Sequence, residues 1–293
     1  MANKSKIKIY KLDDKDYPQK LKQIKNPPKR LYVLGKLPDN NKKTVAIVGS
    51  RTCSDYGSSV AKILAKTLSQ NGVQVISGLA LGIDTSAHIG AIEANSETFA
   101  VLGCGVNICY PSYNFNVYEK ILELNGGIIS ELEENKEPLA FNFPLRNRII
   151  SGLSDIVIIV EASKKSGALI TADYAIEQGK DVYCVPGRLG DRLSIGTNTY
   201  IKNGANIITD VTDVLDRLGV IKDKRLPEKK FDENTLDYFE KLVYQTLTYE
   251  SKHFDEIIME TKLPFEKLSN VLMSLQLSGI CQSTGINYYK KTI

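Results

Sequence analysis

Arg146 and Arg148 flank Asn147 in the stretch Pro144-Leu-Arg-Asn-Arg-Ile-Ile-Ser-Gly152, just ahead of the apolar run Ile156–Val160. Two arginines at the start of an expected helix oppose the positive end of its dipole, which favours acidic neighbours. The conflict points to an anion outside the chain, and phosphate suits both helix N-termini and arginine forks. Three other segments carry residues of the same kind. Gly49-Ser50-Arg51 supplies a close backbone approach, a hydroxyl and a guanidinium. Ser77-Gly78 can present backbone N–H groups to an anion. Ser166 and Gly167, with Thr171 beyond them, lie near a helix N-terminus, where Lys164 and Lys165 raise the local potential.

These loops read as phosphate contacts without catalytic chemistry. No GxGxxG or GxxxxGK[ST] pattern accompanies them, so dinucleotide and Walker-type nucleotide sites lose their main support. Asp84 and His88 are four apart and can pair on one helix face. Ser86, two residues from each, cannot converge with them into a triad. The five cysteines form no CxxC pair and only 2 histidines are present, so no metal or other cofactor is expected. An extended polyphosphate ligand fits the set better than a single nucleotide.

The elements that must position these loops follow from periodicity. Short β-branched runs at 44–48, 72–76, 98–102, 127–130, 156–160, 181–185 and 206–208 alternate with helical segments such as 58–70, 84–94 and 171–178. Alternation at this pitch predicts an α/β, Rossmann-like, mostly parallel sheet with helices on both faces. Ligands then bind beyond the carboxyl ends of the strands, where the singled-out loops fall.

Composition divides the 293-residue chain. Residues 1–43 form a basic leading segment with 13 Lys or Arg against 4 Asp, within a total charge of +4. Residues 44–218 form the Rossmann-like domain, and 219–232 a charged, proline-containing linker. Residues 233–293 follow a helix, helix, turn, helix, hairpin order, that of a small winged-helix domain. Its last helix contains only Lys267 as a base, which favours a protein contact over duplex readout. Nothing approaches a membrane span of about 18 apolar residues, and the basic N-terminus has no signal-peptide core. A cytoplasmic location is expected.

Read together, the motifs resemble the DNA processing protein A family, also called DprA or Smf. They are Tyr17-Pro-x-x-Leu, Val45-Ala-Ile-Val-Gly-Ser-Arg51, Ser77-Gly-Leu-Ala-x-Gly-Ile-Asp84-x-x-Ala-His88, Tyr110-Pro111, Phe143-Pro-x-Arg-Asn-Arg148, Ser166-Gly-x-x-x-Thr171 and Val185-Pro-Gly187. The resemblance implies an extended Rossmann fold and no enzymatic activity. It also implies a single-stranded DNA-binding protein that protects incoming DNA in natural transformation, loads RecA recombinase for homologous recombination, and forms a homodimer. On that likeness Gly49, Ser50 and Arg51 contact phosphate, with Arg146, Arg148, Ser166 and Gly167 nearby; Phe141 or Phe143 can stack on bases. Many members carry a larger N-terminal helical domain, for which too few residues precede Tyr17.

The alternative is an enzyme akin to the lysine decarboxylase-like phosphoribohydrolases, which bind and hydrolyse nucleotides. Their Pro-Gly-Gly-x-Gly-Thr-x-x-Glu signature has Ser166-Gly-Ala-Leu-Ile-Thr-Ala in its place here, without the glycine-rich loop or the catalytic glutamate.

Overall fold

The computed structural model describes residues 7–220 and 233–292, in two compact units, Met1–Lys222 and Asp223–Ile293. The first unit opens with β1 (Lys8–Lys11), the short helix α1 (Gln19–Lys22) and β2 (Arg30–Gly35). Strand and helix then alternate through β3 (Thr44–Val48), α2 (Asp55–Gln70), β4 (Gln74–Ser77), α3 (Ile83–Glu93), β5 (Thr98–Val101), α4 (Phe115–Glu123) and β6 (Gly127–Ser130). The second half runs α5 (Asn142–Gly152), β7 (Ile156–Ile159), α6 (Gly167–Glu177), β8 (Asp181–Cys184), α7 (Ile195–Lys202), β9 (Asn206–Ile207) and α8 (Thr212–Leu218).

The nine strands form one sheet in the order β1-β2-β6-β5-β4-β3-β7-β8-β9. From β6 to β9 every neighbouring pair is parallel. Both faces of this part are covered, which is why its strands are continuously apolar. Successive residues of β3 enter opposite cores, as the pleat requires. Val45 and Ile47 pack with Ala61 and Leu68 of α2 and Ile83 of α3, whereas Ala46 and Val48 pack with Ile149 and Ile150 of α5 and Ala172 of α6. The expected α/β architecture is therefore present.

β1 and β2 extend the sheet antiparallel, β2 pairing with β6 and β1 lying outside it. They fall within the leading segment that composition separates from the core, so the sheet begins well before residue 44. Lysine-rich β1 is mostly exposed, as suits an edge strand, and carries little apolar signal. The strand order reverses at β3, whose neighbours are β4 on one side and β7 on the other. Such a reversal opens a crevice at the carboxyl ends of the two diverging strands.

The second unit contains α9 (Tyr238–Thr246), β10 (Lys252–His253), α10 (Phe254–Thr261), α11 (Phe265–Leu277), β11 (Cys281–Gly285) and β12 (Tyr288–Lys291). Its antiparallel sheet has the order β10-β12-β11. The first helix starts at Tyr238, where Asp237 and Glu240 close a reciprocal capping box. Leu268, Val271, Leu272 and Leu275 of α11 bury its inner face. Beyond Gly219 and Val220, the linker expected over 219–232 lies outside the described residues. Among the described residues no helix is long and apolar enough to cross a membrane.

Candidate nucleic-acid interface

A cleft of about 550 Å³ occupies the crevice beyond β3 and β7. Gly49, Ser50 and Arg51 follow β3 and form one wall, Arg146 and Asn147 of α5 a second, and Ser166, Gly167 and Thr171 of α6 a third. Eight of the eleven residues singled out in the sequence thus share one cavity. Ser77, Gly78 and Arg148 do not line it.

Arg51 is exposed and makes no salt bridge or hydrogen bond among the described residues. Its guanidinium stands 5.6 Å from the centroid of the Phe143 ring, within cation–π range. Ser50 is nearly buried, and its N–H donates to the Glu161 carbonyl at 2.7 Å, which holds the loop against the end of β7. The Glu161 carboxylate accepts hydrogen bonds from Ser54 N–H at 2.9 Å and Ser54 Oγ at 2.5 Å. Glu161 thereby ties the loop after β3 to the start of α2. Gly49 is required for this packing, because a Cβ there would lie 2.6 Å from Ile83 Cγ1.

Ser166 caps α6, its Oγ accepting the Ala168 N–H, so the helix begins at Gly167, four residues before the start expected from the pattern. Nothing would meet a Cβ at Gly167 within 4 Å, so this end of the helix is open. The first turn of α6 contains no acidic residue, which leaves its positive dipole end available to an anion. Asn147 donates from Nδ2 to the Gly167 carbonyl at 3.2 Å and accepts from Arg146 Nε at 3.1 Å, bracing α5 against this helix start.

The two arginines that flank Asn147 have different roles. Helix α5 begins at Asn142, a full turn before Arg146, so the expected clash with the first-turn dipole is absent. Arg146 is 5% exposed; it donates to the Gly78 carbonyl at 2.8 Å and to the Val101 carbonyl. It therefore holds the carbonyl just past the end of β4 and that of the last residue of β5. Burial lowers its pKa to about 10, which leaves it cationic at neutral pH. Arg148 grips the Glu131 carboxylate bidentately, at 2.7 and 2.6 Å, and these hydrogen bonds raise its pKa. Its Nε donates to the Asn26 carbonyl at 3.1 Å, joining α5 to the chain after α1.

Ser77 and Gly78 are also engaged inside the protein. Ser77 is fully buried and donates to the Ile47 carbonyl at 2.7 Å. The Gly78 N–H donates to Asp84 Oδ2 at 3.0 Å. Burial pushes the Asp84 carboxyl up from its ordinary range, against the opposing pull of Arg146 and backbone N–H groups. The expected pairing of Asp84 with His88 does not form. His88 instead shares a 2.8 Å hydrogen bond with Thr98 Oγ1, and burial pushes its pKa down to about 3. Ser86 bonds Ser58 Oγ and the Gly82 carbonyl. Among the described residues these three side chains have no hydrogen bond to one another.

Tyr110, of the Tyr110-Pro111 motif, carries no assigned role in the sequence reading yet lines the cleft. It lies 5.4 Å from Phe143, ring to ring, and 44% of it is exposed. The signal was an aromatic residue before proline, inside the long stretch between β5 and β6. Of the two candidate stacking residues Phe143 lines the cleft, whereas Phe141 is exposed outside its lining. The cleft combines an unpaired cation, an open helix N-terminus and an aromatic pair, a combination suited to an anionic strand that carries flat bases.

Comparison with known proteins agrees in fold and in sequence. Residues 8–219 match the family described as DNA recombination-mediator protein A. Protein Smf of Escherichia coli is 41% identical over 206 residues, 70% of this chain but only 55% of the E. coli protein's length. DNA processing protein DprA of Streptococcus pneumoniae is 40% identical over 211 residues, covering 72% of this chain and 74% of that protein. The X-ray structure of the S. pneumoniae protein superposes with a TM-score of 0.68 at 38% identity, over 73% of this chain and 75% of the other. DNA processing protein A from Helicobacter pylori, whose structure concerns its single-stranded DNA-binding mode, gives 0.62 at 33% identity, over 74% and 98%.

Proposed function

The chain belongs to the DNA recombination-mediator protein A family, and from that premise we propose that it binds single-stranded DNA in the cleft beyond β3 and β7. In this reading it protects incoming DNA during natural transformation and passes it to a RecA-type recombinase in homologous recombination. It acts as a cytoplasmic homodimer, by binding rather than catalysis. The observation that carries the proposal is Arg51, exposed, without an acidic partner and set over Phe143 beside the α6 N-terminus. A phosphate can take the guanidinium and the helix end while an adjacent base meets the aromatic pair.

Single-stranded DNA is the favoured form because bases reach aromatic side chains only when unstacked from a duplex. Residues 44–218 carry this activity with β1 and β2 as part of the same sheet. The 219–232 segment serves as the linker, and 233–293 as a winged-helix domain. In α11, Lys267 is drawn over Phe239 at 4.1 Å, so its charge faces its own domain. That contact favours a protein partner over duplex readout for this domain. The enzyme alternative gains nothing from Asp84, Ser86 and His88, which are buried and engaged separately.

A gel-shift series with single-stranded DNA, duplex DNA and free nucleotide across salt tests the proposal. Tightest binding to the single strand, weakening as salt rises, is expected. Equal binding of duplex, or release of free base from AMP, would overturn it.

A further inference from the structure

The loop that carries Arg51 is held at both ends by one residue, Glu161, which lies just beyond β7. Its carbonyl accepts the Ser50 N–H at 2.7 Å, directly ahead of Arg51. Its carboxylate accepts the Ser54 N–H at 2.9 Å and the Ser54 hydroxyl at 2.5 Å, at the far end of the same loop. Between these clamps the Ser50 carbonyl accepts the Ile83 N–H at 3.2 Å, and Cys53 packs against the core that α2 covers. Arg51 and Thr52 are left as the exposed tip of a turn fixed on either side.

Glu161 is 6% exposed, and among the described residues it makes no salt bridge. A buried carboxylate without a cation needs hydrogen bonds and a favourable field to replace the water it has lost. Ser54 supplies the hydrogen bonds as the N-cap of α2, and the start of that helix supplies the field. Position 57 makes room for the carboxylate by being glycine, since a Cβ there would lie 2.5 Å from Glu161 Oε2. An apolar side chain would fill this space without desolvating a charge, but it would give Ser54 nothing to bind. What the carboxylate adds is a fixed loop. Because Ser54 engages it, the carboxylate also leaves the Arg51 guanidinium without an acidic partner.

We propose that Glu161 is a positioning residue for strand binding, which presents Arg51 to a phosphate by clamping both ends of its loop. The proposal rests on the single-strand reading of the cleft and adds to it a residue that does not line the cleft. A guanidinium held in place before the strand arrives loses less freedom on binding, so affinity rises with no added contact.

The test measures single-strand affinity of the full chain across salt. Glu161→Ala removes the carboxylate and keeps the carbonyl. Gly57→Ala pushes the carboxylate away from the other side, and alanine is the better helix former at that position. Each should weaken binding about threefold to tenfold, the scale of one long side chain ordered on association. Each should also make the salt slope shallower, toward that of Arg51→Ala. Glu161→Gln should recover most of the affinity, because its amide oxygen can accept the Ser54 N–H while its NH2 donates to Ser54 Oγ. In an Arg51→Ala background neither Glu161→Ala nor Gly57→Ala should bring further loss, since the clamp acts through Arg51 alone. Urea unfolding establishes that each variant is folded in the assay, and Gly57→Ala decides the matter if Glu161→Ala is not. An undiminished loss in the Arg51→Ala background would make Glu161 a support of the fold only and would overturn the proposal. Full affinity in both single variants would overturn it as well, and in either case the Arg51 cleft would stand. Absence of strand binding by the wild-type protein would instead sink the proposed function, and this inference with it.

Discussion

The Arg51 guanidinium lies 5.6 Å from the centroid of the Phe143 ring, and the buried Arg146 guanidinium lies 6.0 Å from the same ring. One aromatic residue is therefore shared by a solvent-facing cation and an internal one. The two arginines repel, and the charge of Arg51 contributes to lowering the pKa of Arg146. An anion placed at Arg51 would relieve that repulsion. In the proposed reading the exposed cation is the binding group and the buried one its support.

Arg51→Ala should weaken single-strand binding about tenfold or more at low salt, since a charge-assisted contact is lost. Plotted as log affinity against log salt, the slope should become shallower by about 0.7, the contribution of one phosphate. Arg51→Lys should retain the slope and part of the affinity. An Arg51→Ala protein with unchanged affinity at several salt concentrations would refute the assignment.

Phe143→Leu should behave differently. Loss of a stacking surface weakens binding by about 1–3 kcal/mol per base but releases no counterion. The salt slope should therefore match wild type while the affinity falls. Fluorescence anisotropy across salt distinguishes this pattern from that of Arg51.

Gly78→Ala should destabilise the fold directly. A Cβ at this position would stand 2.7 Å from both terminal nitrogens of Arg146 and from Asp84 Oδ2. None of these groups can move without breaking a buried hydrogen bond, so overpacking of about 1–3 kcal/mol is expected. The shift in the urea midpoint measures it.

Arg146→Met should cost more, about 3–5 kcal/mol, because it removes the cation facing the buried Asp84 carboxyl. Adding Asp84→Asn should recover part of the loss. If the double variant is no more stable than Arg146→Met alone in urea unfolding, the two groups are not coupled.

His88 makes stability depend on pH. Its folded pKa is pushed down to about 3 by burial, whereas an unfolded histidine titrates near 6.5. Between those values the unfolded chain binds the extra proton, so stability falls as pH drops through that window. The loss should approach about 1.4 kcal/mol per pH unit within it. His88→Asn should flatten the slope between pH 4 and 6, and a variant as steep as wild type would assign the effect to other groups.

Much of the architecture is legible in the residues. Ile156–Ile159 had to be a strand covered on both faces, because no solvent-facing side chain interrupts it. A glycine, a hydroxyl and an arginine directly after β3 had to meet whatever lies at the strand's end. β1 was less legible, since four mostly exposed residues leave almost no local pattern, and the place of β2 in the sheet rests on a pairing across about a hundred positions that no local pattern announces. The α6 start was hidden because Ser166 reads equally as a loop residue and as a cap.

The amino-acid sequence by itself determined the alternating parallel sheet and brought Ser, Thr, Gly and Arg to its carboxyl edge, because periodicity and strand-to-helix order are local properties. It did not determine which arginine faces solvent. Arg146 and Arg148 differ only by two positions on one helix, yet one reaches the carbonyls of Gly78 and Val101 at the ends of β4 and β5 and the other reaches Glu131. Those partners are brought together only by the fold, and a buried guanidinium must satisfy its donors with whatever acceptors the neighbouring strands offer. The tertiary structure thus made Arg146 and Arg148 supports and left Arg51 as the exposed cation of the cleft.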